Sequence, residues 1–113
     1  MCIEKILRYI TLIGKTFTTH NTTNEDEFEA DEICQLAITQ LVTNTYEALR
    51  KISEETLAKL PLFSKMRLDL KFARNIASHD YESVDFERIY SIAKRLQIED
   101  LVKELEDIKN DLS

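Results

Sequence analysis

Eight consecutive residues, Arg74-Asn75-Ile76-Ala77-Ser78-His79-Asp80-Tyr81, gather a fixed cation, an amide, an imidazole and a phenol. Arginine stays charged at any physiological pH and presents a planar fork of donors that fits phosphate or carboxylate. Histidine can both take and give a proton near neutrality. Together they are the parts a phosphodiester-cleaving site needs when no metal ion supplies the charge. The chain has only two histidines, and the other, His20, sits in the polar run Thr18–Asn24. No acid or second ligand stands at a fitting spacing from His20, so it reads as an ordinary loop histidine.

The elements that must hold these groups are helical. Ile3, Ile6, Leu7, Ile10, Ile13 and Phe17 recur at helical spacing and predict one amphipathic helix. The acidic run Glu25-Asp26-Glu27, with Glu29, Asp31 and Glu32, suits the first turns of the next helix, where it complements the helix dipole. From about Glu27 to Lys59 a long pattern follows, with Cys34, Ile38, Leu41, Thr45, Ala48 and Ile52 at its centre. Cys34 lies on that apolar face and reads as a small core residue. Glu47 flanks the stripe; it could serve Arg74 as a structural partner, but an i,i+4 surface pair with Lys51 is the simpler expectation.

Pro61 suits the first position of a new helix. Phe63, Met66, Leu70, Ala73 and Ala77 then repeat at helical spacing, with Arg74 between apolar positions near the helix end. In an unbroken helix Arg74 and His79 would point about 140° apart. They converge only if the helix stops or bends near Ser78. Asp85 is a good N-cap for a further helix bearing Phe86, Ile89, Tyr90, Ala93 and Leu96. A last stripe runs from Ile98 to Leu112, separated by too few residues for more than a kink or tight connection. The expected fold is all-α: an up-and-down bundle of four main helices plus a short or broken C-terminal helix, with residues 1–113 forming a single domain.

Composition agrees. One Gly and one Pro in 113 residues leave little punctuation for strands and tight turns. Cys2 and Cys34 are too few for a disulfide framework and lack metal-ligand spacing. No apolar run is long enough to span a membrane, and Met1–Lys5 lacks a signal-peptide core, so the expected location is cytoplasmic. The formal charge of −6 argues against a DNA binder that grips through bulk positive charge. Charge is nonetheless segregated. Between residues 59 and 74, Lys59, Lys65, Arg67, Lys71 and Arg74 face only Asp69, a net of +4, so the remainder carries −10.

The residues 74–81 motif resembles that of the HEPN superfamily, and more narrowly the HepT-like ribonuclease toxins with their Arg-x4-His-x-Tyr pattern. The matching positions are Arg74, Asn75, His79 and Tyr81, followed by Asp85 and Ile89-Tyr90. Upstream, Gln35-Leu36-Ala37-Ile38 and Tyr46-Glu47-Ala48 are similar to the family's second helix. Tyr46 replaces a usual Gly, Asp80 stands where many members carry Gly, and the Trp often found before the motif helix is absent. The resemblance implies a metal-independent endoribonuclease without a cofactor, acting on RNA as a homodimer. Arg74, His79 and Asn75 would be the catalytic set. It also implies a nucleotidyltransferase antitoxin that transfers AMP to Tyr81. Two other readings are a catalytically silent module that scaffolds the nucleotidyltransferase, and a plain helical interaction domain.

Overall fold

The computed structural model describes residues 2–77 and 84–112, and these form an all-α fold of eight helices. α1 (Cys2–Thr19) buries the expected stripe of Ile3, Ile6, Ile10, Ile13 and Phe17 and packs on α3 and α8. Its end is marked by Asn21, whose φ of 53° is the left-handed conformation that closes helices and that asparagine tolerates. Gly14 leaves room for a close approach by a side chain of the C-terminal region. A Cβ there would come within 2.8 Å of Gln97 Oε1, while Gln97 Nε2 donates to the Ile10 carbonyl at 2.8 Å.

The long pattern expected from Glu27 to Lys59 is not one helix. It is divided into the end of α2 (Glu25–Glu29), α3 (Glu32–Leu49) and α4 (Glu54–Leu57). The interruptions have local causes. Asn24 caps α2 by accepting from the Glu27 N–H, and Asp31 caps α3 by accepting from the Cys34 N–H at 3.0 Å. Short side-chain acceptors of this kind offer the backbone an alternative to continued helix. Gln35 Nε2 then donates to the Phe28 and Glu29 carbonyls, at 3.0 and 2.8 Å, joining the Asp31 N–H at the first of these two acceptors near the C-terminus of α2. At the far end, Ser53 caps α4 by accepting from the Thr56 N–H.

His20 also departs from expectation, because an acid does meet it. Its Nδ1 lies 2.9 Å from Asp31 Oδ2, tying the α1–α2 connection to the cap of α3. The Cys34 N–H, and then His20, hold the Asp31 carboxyl below its ordinary range. Cys34 is fully buried as expected, and burial pushes its thiol pKa up, which leaves it unreactive.

Pro61 opens α5 (Pro61–Ser64), as its fixed φ favours. A separate short helix therefore precedes α6 (Arg67–Ala77), instead of one stripe running unbroken from Phe63. The α5 N-terminus has no side-chain cap from its N-cap residue Leu60; Glu104 on α8 (Glu99–Leu112) accepts from the N–H groups of Leu62 and Phe63, both at 3.0 Å. α7 (Phe86–Arg95) starts at the expected cap, with Asp85 accepting from the Arg88 N–H. Phe63, Met66, Leu70, Ala73, Ile89, Ile92 and Leu96 join the α1 and α3 stripes in one core. α3 touches α1, α6 and α7, and so forms the centre on which the motif helix rests.

Candidate active site

α6 carries Arg74–Ala77, the described part of the motif, and its two faces are held by different partners. The inner face buries Leu70 and Ala73. Asp69, one position from Leu70, accepts from Arg88 at 3.2 Å and from Arg95 at 2.7 Å, which ties α6 to the first and last turns of α7. Burial raises the Asp69 pKa, but hydrogen bonds and attraction from Arg95 and Arg88 outweigh it, so the carboxyl lies below its usual range. Arg88 also sits 3.6 Å from the centre of the Phe72 ring, a cation–π contact across the same pair of helices. These contacts fix the relation between the helices that precede and follow residues 78–83.

Arg74 follows buried Ala73 and projects toward α3. Its Nε lies 3.0 Å from Glu47 Oε1, and the other Glu47 oxygen lies 3.4 Å from Arg50 Nη1. The carboxylate expected to pair with Lys51 along its own helix therefore reaches across to the motif arginine. Both side chains keep contact with solvent, Arg74 at 42% and Glu47 at 44% exposure. A carboxylate on Nε orients the guanidinium plane, since the donors of arginine form a rigid fork. Glu47 also borders a shallow cleft of about 90 Å³ with Lys5 and Tyr9 of α1.

Asn75, the next residue, is exposed. His79 and Tyr81 lie outside the described residues, as does Ser78, where the helix end was expected. The described part of α6 runs to Ala77. Of the expected site residues the structure thus places Arg74 and Glu47 in contact and Asn75 beside them. Arg50 was missed by sequence reasoning; its signal was the i,i+3 spacing from Glu47. The Asp69 cluster was missed as well, and nothing local announces it. Among the described residues, no group of three or more His, Cys, Asp or Glu side chains is arranged to hold a metal ion. No helix among them is long and apolar enough to cross a membrane.

This arrangement can present one oriented, half-exposed guanidinium at the end of a helix that leads into His79. Such a group can bind an anion or stabilise negative charge developing on one. Comparison with known proteins gives the arrangement a family. No curated protein and no solved structure matches the chain. Residues 2–108, nearly its whole length, match the family described as Ribonuclease HepT-like. The chain belongs to the HepT-like ribonuclease family.

Proposed function

We propose that residues 1–113 act as one HEPN-type domain, a cytoplasmic ribonuclease toxin that cleaves RNA without a metal ion at a site shared across a homodimer. The observation that carries this reading is the Glu47–Arg74 contact, which orients the arginine of the Arg-x4-His-x-Tyr motif in a chain of this family. His79 takes the proton from a ribose 2′-OH, and the freed oxygen attacks the adjacent phosphorus. The bond to the 5′-oxygen breaks, and an acid from the second subunit protonates that leaving group. The products are a 2′,3′-cyclic phosphate and a 5′-hydroxyl end. Arg74 stabilises the charge that accumulates on the phosphorane, a contribution made mainly in the transition state. Asn75 orients Arg74 or the phosphate. DNA lacks the nucleophile and survives.

Tyr81 is the switch in this reading. A nucleotidyltransferase antitoxin transfers AMP from ATP to its hydroxyl, the phenol oxygen bonding to the α-phosphorus as pyrophosphate leaves, and the added phosphate brings bulk and negative charge to within two residues of His79. A silent module that only scaffolds the nucleotidyltransferase would share Tyr81 but not the chemistry, and mutagenesis separates the two. Purified Arg74→Ala and His79→Ala chains should lose RNA cleavage while the parent cuts RNA in the presence of EDTA. If both variants cut as fast as the parent, the site assignment is wrong. Tyr81→Phe should resist modification by a minimal nucleotidyltransferase supplied with ATP. Modification that persists would place the acceptor elsewhere.

A further inference from the structure

The sequence concentrates cations between residues 59 and 74, and the helix geometry aligns three of them. Arg67, Lys71 and Arg74 are spaced i, i+4 and i+7 on α6, which at 3.6 residues per turn sets them within about 60° of one another. They form a stripe along the helix axis, with rises of about 6 Å and about 4.5 Å between successive members. These steps are comparable to the spacing of successive phosphates on a single strand. Arg67 and Lys71 are exposed, and Arg74 is half-exposed. The anion on the same helix, Asp69, does not neutralise the stripe, because Arg88 and Arg95 already engage it.

Among the described residues, two carboxylates reach the stripe from other elements. Glu54 pairs with Arg67 at 2.8 Å, and Glu47 with Arg74 at 3.0 Å. Glu54 is 82% exposed, so its hold on Arg67 is a surface contact that a phosphate can displace. Glu47 shares its charge with Arg50, which adds a fourth cation beside Arg74. Among the described residues, the cations Arg67, Lys71, Arg74 and Arg50 outnumber the paired carboxylates Glu54 and Glu47, in a chain of net charge −6. The stripe leads directly into the motif.

We propose that Arg67 and Lys71 continue the Arg74 site as a track for the phosphates of single-stranded RNA flanking the scissile bond. This rests on the ribonuclease reading and extends it by naming residues that hold substrate away from the reacting phosphorus. An acidic protein surface is the competing partner for such a stripe. The in-line placement with Arg74 favours a chain of regularly spaced anions over a patch of carboxylates.

The test uses the full chain and a short 2′-O-methylated single-stranded RNA, which binds but lacks the nucleophile. Its affinity is measured by fluorescence anisotropy over a range of salt concentrations. Three phosphate contacts predict a slope of log K against log salt near −2, at about −0.7 per contact. Lys71→Gln and Arg67→Gln should each make the slope shallower by about 0.7 and weaken binding several-fold at low salt. Lys15→Gln, an exposed change on α1, should alter neither. Thermal melts of all three variants check folding, and a merely structural role for either residue would not change a salt slope. Slopes unchanged by Lys71→Gln and Arg67→Gln, in a chain that still binds and cuts RNA, overturn the track and leave the acidic protein as the partner. A parent chain that neither binds nor cuts RNA overturns the ribonuclease reading together with the track.

Discussion

The two ion clusters on α6 are built from the same kinds of residue and differ in what they hold. Asp69 is a single acid engaged by Arg88 and Arg95, and Arg88 rests on the Phe72 ring. All of its partners lie on α7 or on α6 itself, so this cluster joins helices. Glu47 is a single acid engaged by Arg74 and Arg50, but its position on α3 makes it orient one motif residue against the centre of the bundle. Asp69 is 25% exposed and its pKa is depressed; Glu47 keeps 44% of its surface. The more enclosed acid joins two helices, and the more open one holds the arginine to which we assign the chemistry. In both clusters one carboxylate serves two arginines. Only the placement of the carboxylate separates the roles.

Mutations can break that contrast. The largest effect expected is on catalysis: His79→Ala should slow RNA cleavage by about 10²–10⁴-fold, measured in single-turnover assays. Arg74→Lys should cost about 10²-fold, because an ammonium cannot reproduce the oriented fork, with a melting temperature close to the parent's. Asp69→Asn should do the reverse. Loss of charge-assisted hydrogen bonds to two arginines costs about 1–3 kcal/mol of stability, read by urea unfolding, while the rate per folded molecule changes little. A large loss of activity in folded Asp69→Asn would erase the distinction drawn between the two clusters.

Two smaller effects sharpen it. The Asp69 pKa is lowered in the folded chain, so its stabilisation is complete above the ordinary aspartate value near 3.9. It is lost as pH falls below that value through the folded pKa. Urea midpoints measured from pH 6 downward should therefore fall less steeply at acid pH in Asp69→Asn than in the parent. Some acid sensitivity should remain, because Asp31 is also depressed. Glu47→Gln should change stability by less than about 1 kcal/mol, as exposed pairs do. It should lower kcat about tenfold by loosening the Arg74 plane, with KM little changed, since the lost interaction matters mainly in the transition state. An equal loss in Arg50→Gln would point to shared charge and not to orientation.

Much of the fold was legible because helix signals are short-range. The α1 stripe, the Asp85 cap and the Pro61 start all rest on residues within a turn or two of each other. The error over residues 27–59 has the same origin in reverse. Apolar spacing continues smoothly there, and the caps at Asp31 and Ser53, which break the helix, carry no apolar signal. The motif residues were legible as types and spacing. The Glu47–Arg74 pairing was not, because an i,i+4 lysine looks nearer along the chain than an arginine on another helix.

The sequence alone determined the all-α class, the register of each buried stripe and the order of Arg74, Asn75, His79 and Tyr81. These follow from helical periodicity and local capping, which depend on neighbours within about four positions. Tertiary structure decided which polar groups meet. Glu104 caps α5 from 41 and 42 residues away, and Gln97 reaches the Ile10 carbonyl across 87. The same holds for Glu47 crossing to Arg74 and for Asp69 gathering Arg88 and Arg95. Packing angles and interhelical distances set those meetings, and no local spacing encodes them. The sequence placed the arginine of the motif on a helix; the packing of α6 on α3 set the carboxylate that aims it.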